Sequence, residues 1–190
     1  MKMNAPNLIT IFRMAMVPVF IALVLLDLPF AALAVFGIAS LSDKLDGYLA
    51  RKNDQVTNFG KFMDPLADKL LVMSAFLLFL QKGWMSVVAV FLILAREFLI
   101  TSLRVLAIDA GVVMPAGVSG KIKTAVQMTC ICLMLAIAWL AGFLLPETFP
   151  VQTVFCVLGW LMAAVTVWSG ADYIWKQRGL FRADRSGGDK

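Results

Sequence analysis

Four aspartates pose the first chemical question in this sequence. Asp43 and Asp46, with Gly47, Ala50 and Arg51, close one apolar run, and Asp64 and Asp68, with Gly60, open the next. On a helix Asp43, Asp46 and Ala50 fall at i, i+3 and i+7, with Gly47 and Arg51 at i+4 and i+8, so they form one stripe; Gly60, Asp64 and Asp68 form a second. An antiparallel helix pair could bring the stripes face to face. Asp43 lies roughly 21 Å from the outer end of its helix and Asp68 roughly 12 Å from the cytoplasmic end of the next, which puts both in the cytoplasmic half of a bilayer. A lone carboxylate near mid-bilayer costs about 2.5 to 3.5 kcal/mol, and four crowded together also repel one another.

Divalent cations would remove both penalties. An all-oxygen donor set of modest size suits Mg²⁺ or Mn²⁺, and two such ions can clamp a diphosphate and stabilise the nucleophile and leaving group of an in-line displacement. Gly47, Ala50 and Gly60 would leave room for a ligand to approach the backbone, although small residues also serve helix packing. Two other readings of the stripes stay open. One is a solvated interfacial charge stripe neutralised by Lys44, Lys61 and Lys69; the other is the ion path of a carboxylate-lined cation transporter. Against the transporter, the acids cluster at one membrane side and no second cluster follows.

The elements that must position these groups are apolar. The 190 residues are 61% hydrophobic and 15% charged, with a mean hydropathy of +0.87, far from the balance of a soluble domain. Runs of about 20 residues can cross a hydrocarbon core. They predict an all-α, polytopic protein with about six transmembrane helices, near residues 7–27, 30–51, 60–81, 84–110, 118–145 and 150–176, separated by Gly, Pro and charge. Residues 1–178 are expected to form one transmembrane catalytic domain and 179–190 a basic cytoplasmic tail. Lys2 and Arg13 before an apolar run, with Ala32-Leu33-Ala34 beyond, imitate a signal peptide, but more membrane helix follows instead of a soluble domain.

Charge gives the orientation. Lys2, the Arg51/Lys52/Lys61 connection, Lys121, Lys123 and the C-terminal tail fall on one side, whereas the other connections offer Lys82 against Asp27 and Glu147. The positive-inside rule then places both termini and the acidic stripes on the cytoplasmic side. The net charge of +5 fits topology and anionic lipid headgroups, and no aromatic-interleaved basic patch points to nucleic acid. Cys130, Cys132 and Cys156 lie in apolar helices at spacings wrong for a shared metal or an internal disulfide. With no histidine in the chain, acid–base work falls to Asp, Glu, Lys or Tyr.

The pattern Asp43-x-x-Asp46-Gly47-x-x-Ala50-Arg51, eight residues, then Gly60-x-x-x-Asp64-x-x-x-Asp68 resembles the signature of the CDP-alcohol phosphatidyltransferases. The resemblance implies six transmembrane helices, a homodimer, and two ions, Mg²⁺ or Mn²⁺, held by Asp43, Asp46, Asp64 and Asp68. It implies that Asp68 takes the acceptor alcohol's proton, and that Asp46, Gly47, Ala50, Arg51 and Gly60 receive the cytidine diphosphate part of CDP-diacylglycerol. Lys44 occupies a position the signature leaves unspecified.

Three further stretches, PNLITIFRM, AREFLITSLR and SGKIKTAVQM, resemble bacterial members whose acceptor is glycerol 3-phosphate, and extend the resemblance over most of the chain. Arg96 and Arg104 on the fourth helix and Lys121 and Lys123 opening the fifth could hold that acceptor's phosphate through charge-assisted hydrogen bonds. Alternatively, Arg96 pairs with Glu97 or a motif carboxylate, and the lysines are topology anchors. Asn7 and Thr10 are either an N-terminal helix cap or neighbours of the headgroup site. The implied reaction gives phosphatidylglycerol phosphate and CMP at the bacterial inner membrane, among membrane lipids. Inositol phosphate, serine and phosphatidylglycerol are the competing acceptors. Serine, being zwitterionic, would need less positive charge around Arg96 and Arg104.

Overall fold

The computed structural model describes the backbone of residues 5–52, 58–109 and 117–183, and the side chains of 10–42, 66–67, 69–107 and 117–176. Among the described residues the protein is all-helical, with α1 Ala5–Leu25, α2 Pro29–Lys52, α3 Asn58–Gln81, α4 Val87–Asp109, α5 Val118–Ala141 and α6 Val151–Ala183. All six helices stand where the hydrophobic runs predict them, and their ends show which local chemistry overrides hydropathy. Helix α4 starts three residues late because Ser86 caps it, its Oγ accepting from the Ala89 N–H at 3.1 Å. Helix α5 stops at Ala141, before the apolar run does, because Gly142 follows and the backbone turns there. Helix α6 runs to Ala183, into the stretch expected as tail: Lys, Gln and Arg are good helix formers, so the end of hydrophobicity is not the end of the helix.

Two helices, Val118–Ala141 and Val151–Lys176, are long and apolar enough to cross a membrane. Shorter apolar stretches, Thr10–Leu25, Pro29–Ser42 and Lys69–Gln81, lie in α1, α2 and α3. The distribution of polarity identifies a membrane protein more directly. Phe91, Phe98, Val157, Trp160, Leu161, Val167, Trp168 and Trp175 are exposed, while Arg13, Lys123, Gln127, Thr166 and Ser169 are buried. A soluble protein arranges these types the other way round; in lipid, polar groups turn inward to find partners.

The chain forms two compact units. The first comprises Met1–Trp84 and Ile131–Phe155. In it α1 packs against α2 and α3. The buried stripe of α1 is Thr10, Arg13, Val17, Phe20 and Val24, at i, i+3, i+7, i+10 and i+14. Phe20 meets Phe36 with ring centroids 5.6 Å apart, and Phe36 is flanked on α2 by buried Ala32 and Ala39, whose small side chains let α1 come close. Helix α3 contributes Ala67, Leu71, Ala75 and Phe79.

The second unit comprises Met85–Cys130 and Cys156–Lys190. Its α4 stripe is Ala89, Ile93, Ile100 and Ala107, with half-buried Arg96 in register; its α5 stripe is Ser119, Lys123, Gln127 and Cys130; and its α6 stripe is Gly159, Met162, Ala163, Thr166, Ser169, Gly170 and Tyr173. The three cysteines are free thiols.

Candidate active site

Both halves of the aspartate pattern lie on helical backbone, Asp43 to Arg51 in the last turns of α2 and Gly60 to Asp68 in the first turns of α3. The i, i+3, i+4 spacings are therefore spacings along helices, as the stripe reading requires. The side chains of Asp43, Asp46, Gly47, Ala50, Arg51, Gly60, Asp64 and Asp68, and of Asn7, lie outside the described residues. Among the described residues no group of three or more metal-capable side chains gathers. The donor chemistry of the pattern is oxygen only, which fits a hard divalent ion and not a soft one.

Thr10, on α1 of the same unit, is buried at 1% exposure. One turn further on, Arg13 is as deeply buried, and it engages a partner. A guanidinium this deep requires compensating polar or anionic groups. Sequence reading attached no chemistry to Arg13. The usable signal was an arginine inside an apolar helix, at i+3 from Thr10.

The second unit holds a compact charge cluster. One oxygen of Glu97, Oε1, accepts from Arg96 Nη1 at 3.1 Å and pairs with Lys123 Nζ at 2.5 Å. The three side chains are 11%, 9% and 16% exposed for Arg96, Lys123 and Glu97, so this is a largely desolvated group in which two cations share one carboxylate, and Lys123 makes a further interaction besides. Arg96 also donates from Nη2 to Ser169 Oγ at 2.9 Å. Beside the cluster Gln127 Nε2 donates to Thr166 Oγ1 at 3.0 Å, and that hydroxyl donates to the Met162 carbonyl at 2.6 Å, which satisfies a second buried polar pair.

Helix packing thus brings Arg96 and Lys123 together, while Arg104 and Lys121 are exposed. The expected alternative for Arg96, pairing with Glu97, is also present. The two are compatible, because Glu97 is shared between Arg96 and Lys123. Ser169 and Gly170, which shape this cluster from α6, carried no signal in the sequence.

The matched family is CDP-alcohol phosphatidyltransferase, over residues 3–168. The chain belongs to this family. Among its relatives are proteins named CDP-diacylglycerol--glycerol-3-phosphate 3-phosphatidyltransferase. The one from Bacillus subtilis (strain 168) is 42% identical over 151 residues, covering 70% of this chain and 76% of the relative. Those from Shigella flexneri serotype 5b (strain 8401) and Escherichia coli (strain K12) are 36% and 35% identical over 181 residues, each covering 92% of this chain and 94% of the relative. The matched span of this CDP-alcohol phosphatidyltransferase includes both halves of the aspartate pattern and the Arg96–Glu97–Lys123 cluster.

Proposed function

We propose that this chain transfers the phosphatidyl group of CDP-diacylglycerol to sn-glycerol 3-phosphate, giving phosphatidylglycerol phosphate and CMP in phospholipid biosynthesis. The observation that carries this reading is the full-length similarity to relatives bearing that printed activity, over 92% of this chain and 94% of theirs. The cluster in the second unit supports the acceptor: two desolvated cations sharing one carboxylate suit a dianionic phosphate better than a zwitterion. Serine offers one carboxylate beside its own ammonium, a poorer match to two cations.

In this reading Asp43, Asp46, Asp64 and Asp68 hold two divalent ions, Mg²⁺ or Mn²⁺. When bound, these supply charge neutralisation for the donor's diphosphate. Gly47, Ala50 and Gly60 leave backbone open to the cytidine diphosphate moiety, and Asp46 and Arg51 contact it. Asp68 accepts the proton of the glycerol C1 hydroxyl as that oxygen bonds to the phosphorus bearing diacylglycerol, and the anhydride bond to CMP breaks with its electron pair leaving on CMP. Arg96 and Lys123 orient the acceptor through its phosphate, and Arg104, Lys121, Asn7 and Thr10 are further candidates for contact with the acceptor. Catalysis comes chiefly from positioning and electrostatics. Six spans, cytoplasmic termini, a cytoplasmic-side site at the bacterial inner membrane and a homodimer complete the proposal.

The test is CMP release from CDP-diacylglycerol by the purified protein with Mg²⁺, offering glycerol 3-phosphate, inositol phosphate, serine and phosphatidylglycerol separately. Release is expected with glycerol 3-phosphate alone, and a drop of roughly a thousandfold or more in Asp68→Asn. Release with another acceptor would keep the family and overturn the acceptor.

A further inference from the structure

Where α4 crosses α6, Arg96 runs over Gly170 more closely than any other residue type at that position would allow. A Cβ at residue 170 would sit 2.8 Å from Arg96 Cγ, 3.6 Å from Nε and 3.8 Å from Cδ. Gly159, the other buried glycine on the α6 stripe, would bring its Cβ no nearer than 3.2 Å to Met85 Cγ. The aliphatic stem of Arg96 therefore lies on bare helix backbone. One residue earlier, Ser169 Oγ accepts from Nη2 at 2.9 Å, while Glu97 takes Nη1 at 3.1 Å. Arg96 Nε is buried without a hydrogen-bond partner, so the guanidinium is fixed at both terminal nitrogens and by the seat beneath its stem.

We infer that Ser169 and Gly170 of α6 form a positioning element for Arg96, which sets how well this chain holds the phosphate of its acceptor alcohol. The inference rests on the reading that Arg96 receives that phosphate. Ser169 and Gly170 act through Arg96 and touch no substrate themselves. A methyl group at residue 170 overlaps Cγ of Arg96, so the Arg96 side chain must shift to relieve the contact. The guanidinium then leaves Ser169, and its charge-assisted hydrogen bonds, which depend steeply on angle, are aimed wrongly for the ligand. Helix α6 itself should not suffer, since alanine is the better helix former.

The experiment uses the full chain in detergent with Mg²⁺ and compares Gly170→Ala, Ser169→Ala, Ser169→Thr and Arg96→Met with the parent. Three quantities are read: KM for glycerol 3-phosphate, KM for CDP-diacylglycerol, and the thermal midpoint. Gly170→Ala is expected to raise the glycerol 3-phosphate KM roughly tenfold and Ser169→Ala several-fold, with Ser169→Thr closer to the parent because the hydroxyl is kept. The donor KM should stay put, and the thermal midpoint should fall by no more than several degrees, the scale of one lost buried hydrogen bond. A parallel rise in both KM values, or an unchanged acceptor KM in Gly170→Ala and Ser169→Ala while Arg96→Met raises it, overturns the positioning role and leaves the phosphate reading standing. An acceptor KM indifferent to Arg96→Met overturns the reading beneath it. Should Gly170→Ala not fold, Ser169→Ala and Ser169→Thr decide on the same readouts.

Discussion

The acidic pattern on α2 and α3 and the basic cluster on α4 and α5 pose opposite electrostatic problems. In the second unit opposite charges meet within one group: Glu97 lies between Arg96 and Lys123, and Lys123 makes a further interaction besides. The pattern of the first unit brings four carboxylates within 26 residues, Asp43 to Asp68. Desolvating a charge without a partner is the costlier state in either place. A cluster that carries its own counter-ion can be desolvated ahead of its ligand, whereas in the proposed reading the four carboxylates rely on ions from outside.

The hardest test of that contrast is metal removal. Chelation with EDTA is expected to abolish CMP release, and added Mg²⁺ or Mn²⁺ to restore it. The Arg96–Glu97–Lys123 group holds together through its own ion pairs, so it is expected to persist. Tryptophan emission and helicity measured alongside activity would separate loss of ions from loss of fold. Full activity in metal-free protein would break the comparison outright.

A smaller effect is expected from the basic cluster. Arg96→Met or Lys123→Met removes one of two cations and leaves the other paired with Glu97. The glycerol 3-phosphate KM should then rise roughly 10- to 100-fold, the scale of one hydrogen bond to a charged group, with the CDP-diacylglycerol KM little changed. Steady-state kinetics with each substrate varied in turn gives the answer. Equal rises in both KM values would mean that the cluster supports the fold and not the acceptor.

How much of this was legible beforehand differs by feature, for physical reasons. The six helices follow from run length, and the aspartate pattern from spacing, because both are local properties of the chain. Helix ends were less legible: Ser86 and Gly142 act through one hydrogen bond or one turn, and the basic continuation of α6 is polar yet helical. The Arg96–Glu97 contact could be foreseen from adjacency, but Lys123 joins Glu97 only because α4 and α5 pack, and Gly170 matters only because Arg96 crosses it. Arg13 was hidden for the reverse reason, since its place in an apolar helix was visible but its burial depends on α2 and α3 closing over that face of α1.

The smallest expected effect concerns a carboxylate outside both clusters. Helices α1 and α3 end in the same hydrogen-bonded turn: Leu28 N donates to Leu23 O at 3.0 Å and Asp27 N to Val24 O at 3.3 Å, and likewise Trp84 N to Phe79 O at 2.8 Å and Gly83 N to Leu80 O at 3.0 Å. Each turn needs a left-handed residue after the helix, supplied by Gly83 at φ 71° without strain and by Asp27 at φ 53° with some. Asp27 also pairs with Lys82, but its side chain is 80% exposed, so the pair contributes at most about 1 kcal/mol. Asp27→Gly loses that pair and relieves a left-handed penalty of about 1 to 2 kcal/mol, so the two changes nearly cancel and the thermal midpoint should stay level or rise slightly. CMP release should not change. A large loss of activity in this variant would show that acids outside the α2–α3 pattern also matter, and the division of labour between the two clusters would have to be redrawn.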